Sequence, residues 1–158
     1  MTDKKVKKPK KKGVQYYGKK LWKLFSEYIR KRDCIEGDFE RCKCFTCGVV
    51  MPYKRMQAGH YIPRQFKLTK FDERNNNAQC YACNMLYGGN PAEYHQRLLE
   101  LYGEDVMDEL LELQRKYKIE GCKNMDVDWY KENIEIYRAK VGKLDLPASN
   151  CSVEDLPF

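Results

Sequence analysis

The 158-residue chain has only two histidines, two tryptophans and six prolines. No apolar run approaches the roughly 18 residues that a membrane-spanning helix needs. Its lysine-rich start lacks the apolar stretch of a secretion signal. These absences lead to the expectation of a soluble cytoplasmic protein with no membrane partner. Apolar material is also thin: 34% of residues are charged and mean hydropathy is -0.79. The core must therefore be modest, and a metal staple would help a single domain of this size to hold together.

Negative charge is scarce in the first half. Residues 1–70 carry 20 Lys and Arg against 6 Asp and Glu, whereas residues 71–158 carry 10 against 17. A basic half of that size suits phosphate backbones. Seven of the lysines lie between Lys4 and Lys12, where a solvated, disordered tail is the alternative. Lys19, Lys20, Lys23, Arg30, Lys31, Arg32, Arg55 and Arg64 carry the charge onward, so contact with nucleic acid is expected.

Eight cysteines are present, but no secretion signal accompanies them, which argues against a disulfide scaffold. Cys44/Cys47 and Cys80/Cys83 form two C-x-x-C pairs, the spacing of a tetrahedral structural zinc site. Such a site is closed to substrate, so the ion would hold the scaffold and leave the chemistry to other groups. Cys42 could compete as a ligand. Cys34, Cys122 and Cys151 read as small core or surface residues.

The expected fold class is α+β, a zinc-stapled ββα core with flanking helices. Residues 1–17 read as a disordered Lys-rich arm, 18–142 as one domain and 143–158 as an irregular tail. Leu21, Trp22, Phe25, Tyr28 and Ile29 recur at helical spacing, which predicts an amphipathic helix over 19–32. Its basic flank, with Lys23, Arg30 and Arg32, is a candidate to rest on DNA. A loop is expected over 33–41, strands over 49–51 and 57–62 forming a ribbon, a loop over 64–77 and a short helix over 80–87. Asn90-Pro91 opens a helix that Gly103 stops; others are expected over 104–117 and from Asp126.

His60 lies between the two cysteine pairs. With an ordinary pKa near ~6.5, a histidine on a rigid strand can take a proton from water at neutral pH and so generate a nucleophile for phosphodiester hydrolysis. A Mg2+ or Mn2+ ion on the phosphate oxygens would stabilise the transition state and requires oxygen ligands. Asn84, next to Cys83, can offer one. Asn75 is placed to brace the loop that aims His60. Arg64 is a candidate clamp on the scissile phosphate, with a generic surface arginine as the alternative. His95 is a second candidate ligand for the catalytic ion, against an ordinary exposed helical residue. Asp72 and Glu73 are the nearest loop carboxylates, against solvated loop charge.

At these residues the chain resembles a family. The frame C-x-x-C, His60, Asn75, C-x-x-C-Asn84 is similar to the His-Asn-His (HNH) or ββα-metal endonucleases in a variant ending in Asn. Phe25-x-x-Tyr28-Ile29-Arg30-x-Arg32-Asp33, Cys44-x-Thr46-Cys47-Gly48, Gln57-Ala58-Gly59-His60-Tyr61, Asn75-x-Asn77-Ala78-Gln79-Cys80 and Gly89-Asn90-x-x-x-Tyr94 resemble, more narrowly, the NinG/Rap recombination endonucleases of lambda-type bacteriophages.

The resemblance implies a metal-dependent endodeoxyribonuclease nicking D-loops and Holliday junctions. It assigns His60 as general base, Asn84 as metal ligand and Asn75 as bracing residue. Cutting both arms of a symmetric junction would favour a homodimer. Three departures stand out. Gly59 occupies the place where many HNH enzymes carry Asp, Asn77 stands where the closer family often has His, and the lysine arm replaces an N-terminal cysteine knuckle. The rival expectations are a non-catalytic zinc-stabilised DNA-binding module and a nuclease acting on ordinary duplex.

Overall fold

The computed structural model describes residues 12–145. The expected arm over residues 1–11, the tail over 146–158 and Cys151 lie outside the described residues. Helix α1 spans Val14–Arg32 and buries Leu21, Phe25 and Ile29 on one face. It starts earlier than its apolar periodicity predicts: residues 14–17, expected in the arm, are its first turn. Arg30, Lys31 and Arg32 fill its last turn, where positive charge is favoured by the unpaired carbonyls.

The segment expected as a loop over 33–41 is instead a hairpin of β1 (Cys34–Ile35) and β2 (Asp38–Lys43), turned at Gly37 with φ 77°. Strand β3 (Val50–Pro52) returns against β2, pairing Lys43 with Val50 and Arg41 with Pro52. The ribbon expected of residues 49–51 and 57–62 does not form, because each pairs with a different strand. A 3-10 turn at Tyr53–Arg55 diverts the chain after β3. Strand β4 (Gln57–His60) then pairs with β5 (Asn76–Gln79), placing His60 opposite Asn76 and Gly59 opposite Asn77.

Strand β5 begins inside the stretch expected as a polar loop over 64–77. Asn76, Asn77, Ala78 and Gln79 are all buried, so the strand has no apolar alternation to betray it. Its side-chain amide nitrogens find partners within the protein, whereas Asn76 Oδ1 and Gln79 Oε1 are buried with none among the described residues. Asn76 Nδ2 donates to the Asp72 carbonyl at 2.7 Å, Asn77 Nδ2 to the Tyr94 hydroxyl at 3.1 Å and Gln79 Nε2 to the Gly89 carbonyl at 2.9 Å. A four-residue helix α2 (Lys67–Lys70) lies between the strands, and a π-helical turn at Ala82–Leu86 follows β5.

Helix α3 runs over Pro91–Glu120 but is interrupted at Gly103, whose φ of 77° breaks the helical backbone. The expected division into two helices is therefore present, with the second reaching Glu120 rather than 117. Helix α4 (Val127–Leu144) is capped by Asp126, whose carboxylate accepts from the Asp128 and Trp129 N–H groups. It extends two residues into the expected irregular tail. Its buried Tyr130, Ile134 and Tyr137 pack with Leu21, Phe25 and Ile29 of α1 and with Ala58 of β4. Ile136, on the opposite side, is exposed.

Glu73 ties this helical pair to the β4–β5 unit. Its carboxylate accepts from Tyr28 of α1 and Tyr137 of α4, both at 2.9 Å, and pairs with Lys140. Burial raises its pKa, but Lys140 and the two hydroxyls outweigh that and hold it below the ordinary range. Glu73 is thus neither solvated loop charge nor a site carboxylate. Replacing Glu73 with Ala strands three donors in a half-buried setting and is expected to cost on the order of 2 kcal/mol. The shift in urea midpoint at unchanged slope would measure it.

Candidate metal centre and active site

The Cys44–Cys47 turn follows β2, and Cys80 and Cys83 flank the start of the π-helical turn after β5. The four sulfurs lie within 4.8 Å of one another, with Cys47 and Cys80 Sγ 3.8 Å apart. Tetrahedral zinc with Zn–S bonds of ~2.3 Å would require S–S separations of about 3.8 Å. Thiolate-directed donors surround the group: the Cys80 N–H reaches Cys44 Sγ at 3.3 Å, the Cys83 N–H reaches Cys80 Sγ at 3.5 Å and the Thr46 hydroxyl sits 3.5 Å from Cys44 Sγ.

Burial opposes ionisation of Cys44, but the Thr46 hydroxyl and backbone N–H groups outweigh it and lower its pKa. Cys47 is pushed upward by burial and by the neighbouring sulfurs. Four thiolates this close repel one another unless a cation lies among them, so these cysteines can hold a metal ion such as zinc. Cys42 does not compete. Its thiol donates to the Arg30 carbonyl at 2.7 Å and lies 3.2 Å from Cys34 Sγ, apart from the four-sulfur cluster.

A cavity of about 590 Å3 opens beside this centre, lined among others by His60, Asn84, Arg64, Arg30, Gln57 and Trp22. Its two ends of chain are held by separate devices. The metal-ligating turn fixes Asn84, and β4 fixes His60. Asn84 Nδ2 donates to Gln57 Oε1 at 2.6 Å, which orients the amide and leaves its carbonyl oxygen available. Gln57 is a functional candidate that sequence reasoning missed; its place in β4, three residues before His60, was the available signal.

The His60 ring stacks on Trp22, with centroids 5.0 Å apart and planes inclined by 17°. Its Nε2 is buried and has no hydrogen-bond partner among the described residues. Burial lowers the imidazole pKa to about 4, with Lys70 and Arg64 adding to the effect. His60 is therefore neutral at physiological pH. Asn75 is fully buried and braces the segment just after His60: its Oδ1 accepts from the Ile62 N–H at 2.7 Å, and its Nδ2 donates to the Ile62 and Thr69 carbonyls, both at 3.0 Å. Tyr94 of α3 adds a hydroxyl bond to the Gly59 carbonyl at 3.0 Å.

Other expected site residues lie elsewhere. Arg32 is engaged within the fold, bonding Asp33, the Glu73 and Asn76 carbonyls and Asn77 Oδ1, and does not line the cavity. Lys23 is exposed on α1 but does not line the cavity. His95 pairs with the Tyr61 hydroxyl at 2.8 Å and is not among the cavity residues. Asp72 is occupied by Arg74. At Gly59 an added Cβ would lie 2.0 Å from Gln79 Oε1. The side chain of Gln79 thus fills the space that an Asp at this position would need.

Zinc is expected to bind one ion per chain, read by elemental analysis, and Cys80→Ser is expected to abolish stoichiometric binding and lower the melting temperature. Gly59→Ala is expected to destabilise the protein by about 1–3 kcal/mol through overpacking, visible in thermal melts. Gln79→Ala in the same chain should recover part of that loss.

The model of the Bacteriophage Lambda NinG protein family matches residues 1–146 of the chain. Protein ninG of Escherichia phage lambda is 27% identical over 120 residues, covering 74% of this chain and 55% of that protein. The ninG protein of Salmonella phage P22 is 28% identical over 120 residues, covering 74% and 56%, and that of Enterobacteria phage H19B is 29% identical over 111 residues, covering 68% and 52%. The chain spans about half the length of the curated relatives it matches. No solved structure matches it, and among the described residues no helix is long and apolar enough to cross a membrane. On the extent of the family match, which takes in both cysteine pairs and His60, the chain belongs to the NinG family of bacteriophage proteins.

Proposed function

We propose that the chain is a metal-dependent, structure-selective DNA endonuclease of HNH type, nicking branched recombination intermediates such as D-loops and Holliday junctions. One observation carries the reading: a single cavity gathers His60, Asn84, Arg30 and Arg64, and no carboxylate lines it. The β4–β5 hairpin followed by a short helix, with cysteines at the joint, supports an HNH-like ββα core.

In this reading His60 is the general base. Its neutral form is the working form, and the imidazole, which lines the cavity, would take a proton from water. Trp22 fixes the ring plane, and Asn75 with Tyr94 fixes the backbone on either side of His60. Arg64 and Arg30 provide positive charge for the phosphate that undergoes attack.

A divalent cation such as Mg2+ or Mn2+ would have the Asn84 carbonyl oxygen as its protein ligand, and since such ions ordinarily take one or two carboxylates and none lines this cavity, the rest of its ligands would be water and phosphate oxygens. When bound, such an ion neutralises charge on the phosphate and leaving oxygen. Symmetric junctions would call for two copies of the chain acting together.

The test is nicking of a labelled four-way junction, a D-loop and linear duplex, with and without Mg2+ or Mn2+. His60→Ala is expected to lower the rate by about 10²–10⁴-fold and Asn84→Ala to raise the metal concentration needed for half-maximal nicking. Equal cutting by His60→Ala would reject the base. Absence of nicking by the native chain in any divalent ion would favour a DNA-binding module, and preference for linear duplex would reject branch selectivity.

The pH dependence follows from the direction of the His60 shift. A base with a lowered pKa keeps its working form to lower pH, so kcat/KM is expected to stay level down to about pH 5.5 and fall toward the value near 4. An acid limb centred at the ordinary ~6.5 would count against the buried imidazole as the titrating group.

A further inference from the structure

A second cavity, of about 920 Å3, lies along α1 and α2 and shares Trp22, Pro63 and Arg64 with the His60 cavity. The two are consecutive lengths of one cleft. Lys19, Arg64, Lys67 and Lys70 line the second length, and no Asp or Glu lines it. None of the four cations has an ion pair among the described residues, so all four charges are available to an anion.

Four like charges held along one wall repel one another unless an anion lies between them. Lys70 registers this directly: burial, Arg64 and Lys67 all lower its pKa. Its Nζ stands 5.5 Å from the Trp22 ring centroid, and the same indole stacks on His60. A chain of contacts therefore leads from the cationic wall to the imidazole.

We infer that the cleft between α1 and α2 is a track for the phosphodiester backbone of one DNA strand, with Lys19, Lys67 and Lys70 holding the phosphates that flank the one presented to His60. An extended polyanion fits the observations better than a small anion, because the charges are strung along an open cleft and not gathered about one point. The inference rests on the nuclease reading for its direction, since it is the His60 end that makes the track lead to a reacting bond. Lys67 and Lys70 were not singled out by sequence, because they sit in a stretch without periodicity.

The experiment is fluorescence anisotropy of a labelled four-way junction and a labelled duplex with the zinc-loaded full chain, without added divalent ion, over a series of salt concentrations. Lys67→Glu/Lys70→Glu is expected to bind at least about tenfold more weakly, and its plot of log affinity against log salt should be shallower by about two. Lys19→Glu/Lys67→Glu, which changes only exposed side chains, guards against a folding defect and should behave alike. Arg115→Glu/Lys116→Glu, on α3 away from the cleft, should stay within about twofold of native.

Native affinity and slope in both cleft variants, or an equal loss in the α3 variant, would overturn the track. The two readings separate cleanly. Normal nicking with cleft variants that bind like native rejects the track alone. Cleft-dependent binding by a native chain that never nicks rejects the nuclease alone and retains the track.

Discussion

The mutual repulsion of four clustered sulfurs, those of buried Cys44, Cys80 and Cys83 and exposed Cys47, is the constraint on which the architecture turns. Cys44 and Cys47 lie in the turn between β2 and β3 of one sheet, while Cys80 and Cys83 follow the paired β4 and β5 of the other. Without a cation the cluster disfavours its own closeness; with one, it becomes the joint between two sheets that share no strand. Asn84 is the next residue after the last sulfur, so its position is a by-product of that joint. Cys42, Met56 and Ala78 pack around the sulfurs and keep water from competing for them.

A second network is polar and equally buried. Asn75, Asn76, Asn77 and Gln79 have almost no exposure. Their amides bond mainly to backbone carbonyls and N–H groups, which fixes loops as well as strands. Arg32 and Asp33 belong to the same network: the Asp33 carboxylate accepts from the Ala78 N–H at 2.6 Å, pinning the end of α1 to β5. The polar core is specific where a small apolar core could slide, because each amide has partners only in one register.

These two networks explain what was legible in sequence. The C-x-x-C pairs announced the joint because thiolate chemistry dictates spacing. The apolar stripe of α1, the Pro91 start and Gly103 break of α3, and the Asp126 cap of α4 followed from helical periodicity and termini. Strand β5 was hidden because its buried face is made of Asn and Gln, whose hydrogen bonds replace apolar contact. The β1–β2 hairpin was hidden by its shortness and mixed charge. Arg32 looked like a surface cation since sequence shows charge but not the carbonyls gathered around it. Gly59 could be seen to lack a carboxylate, but not that Gln79 lies across the gap.

The stacking of Trp22 on His60 has a spectroscopic corollary. Indole emission is sensitive to an adjacent imidazole and is quenched when that ring acquires a proton. The chain has one other tryptophan, Trp129, which packs against Tyr130 and Phe71 in the α1–α4 region. Mutating Trp129 to phenylalanine would leave a single native fluorophore facing the imidazole, so the electrostatic state of the cleft could be followed by light without attaching any dye.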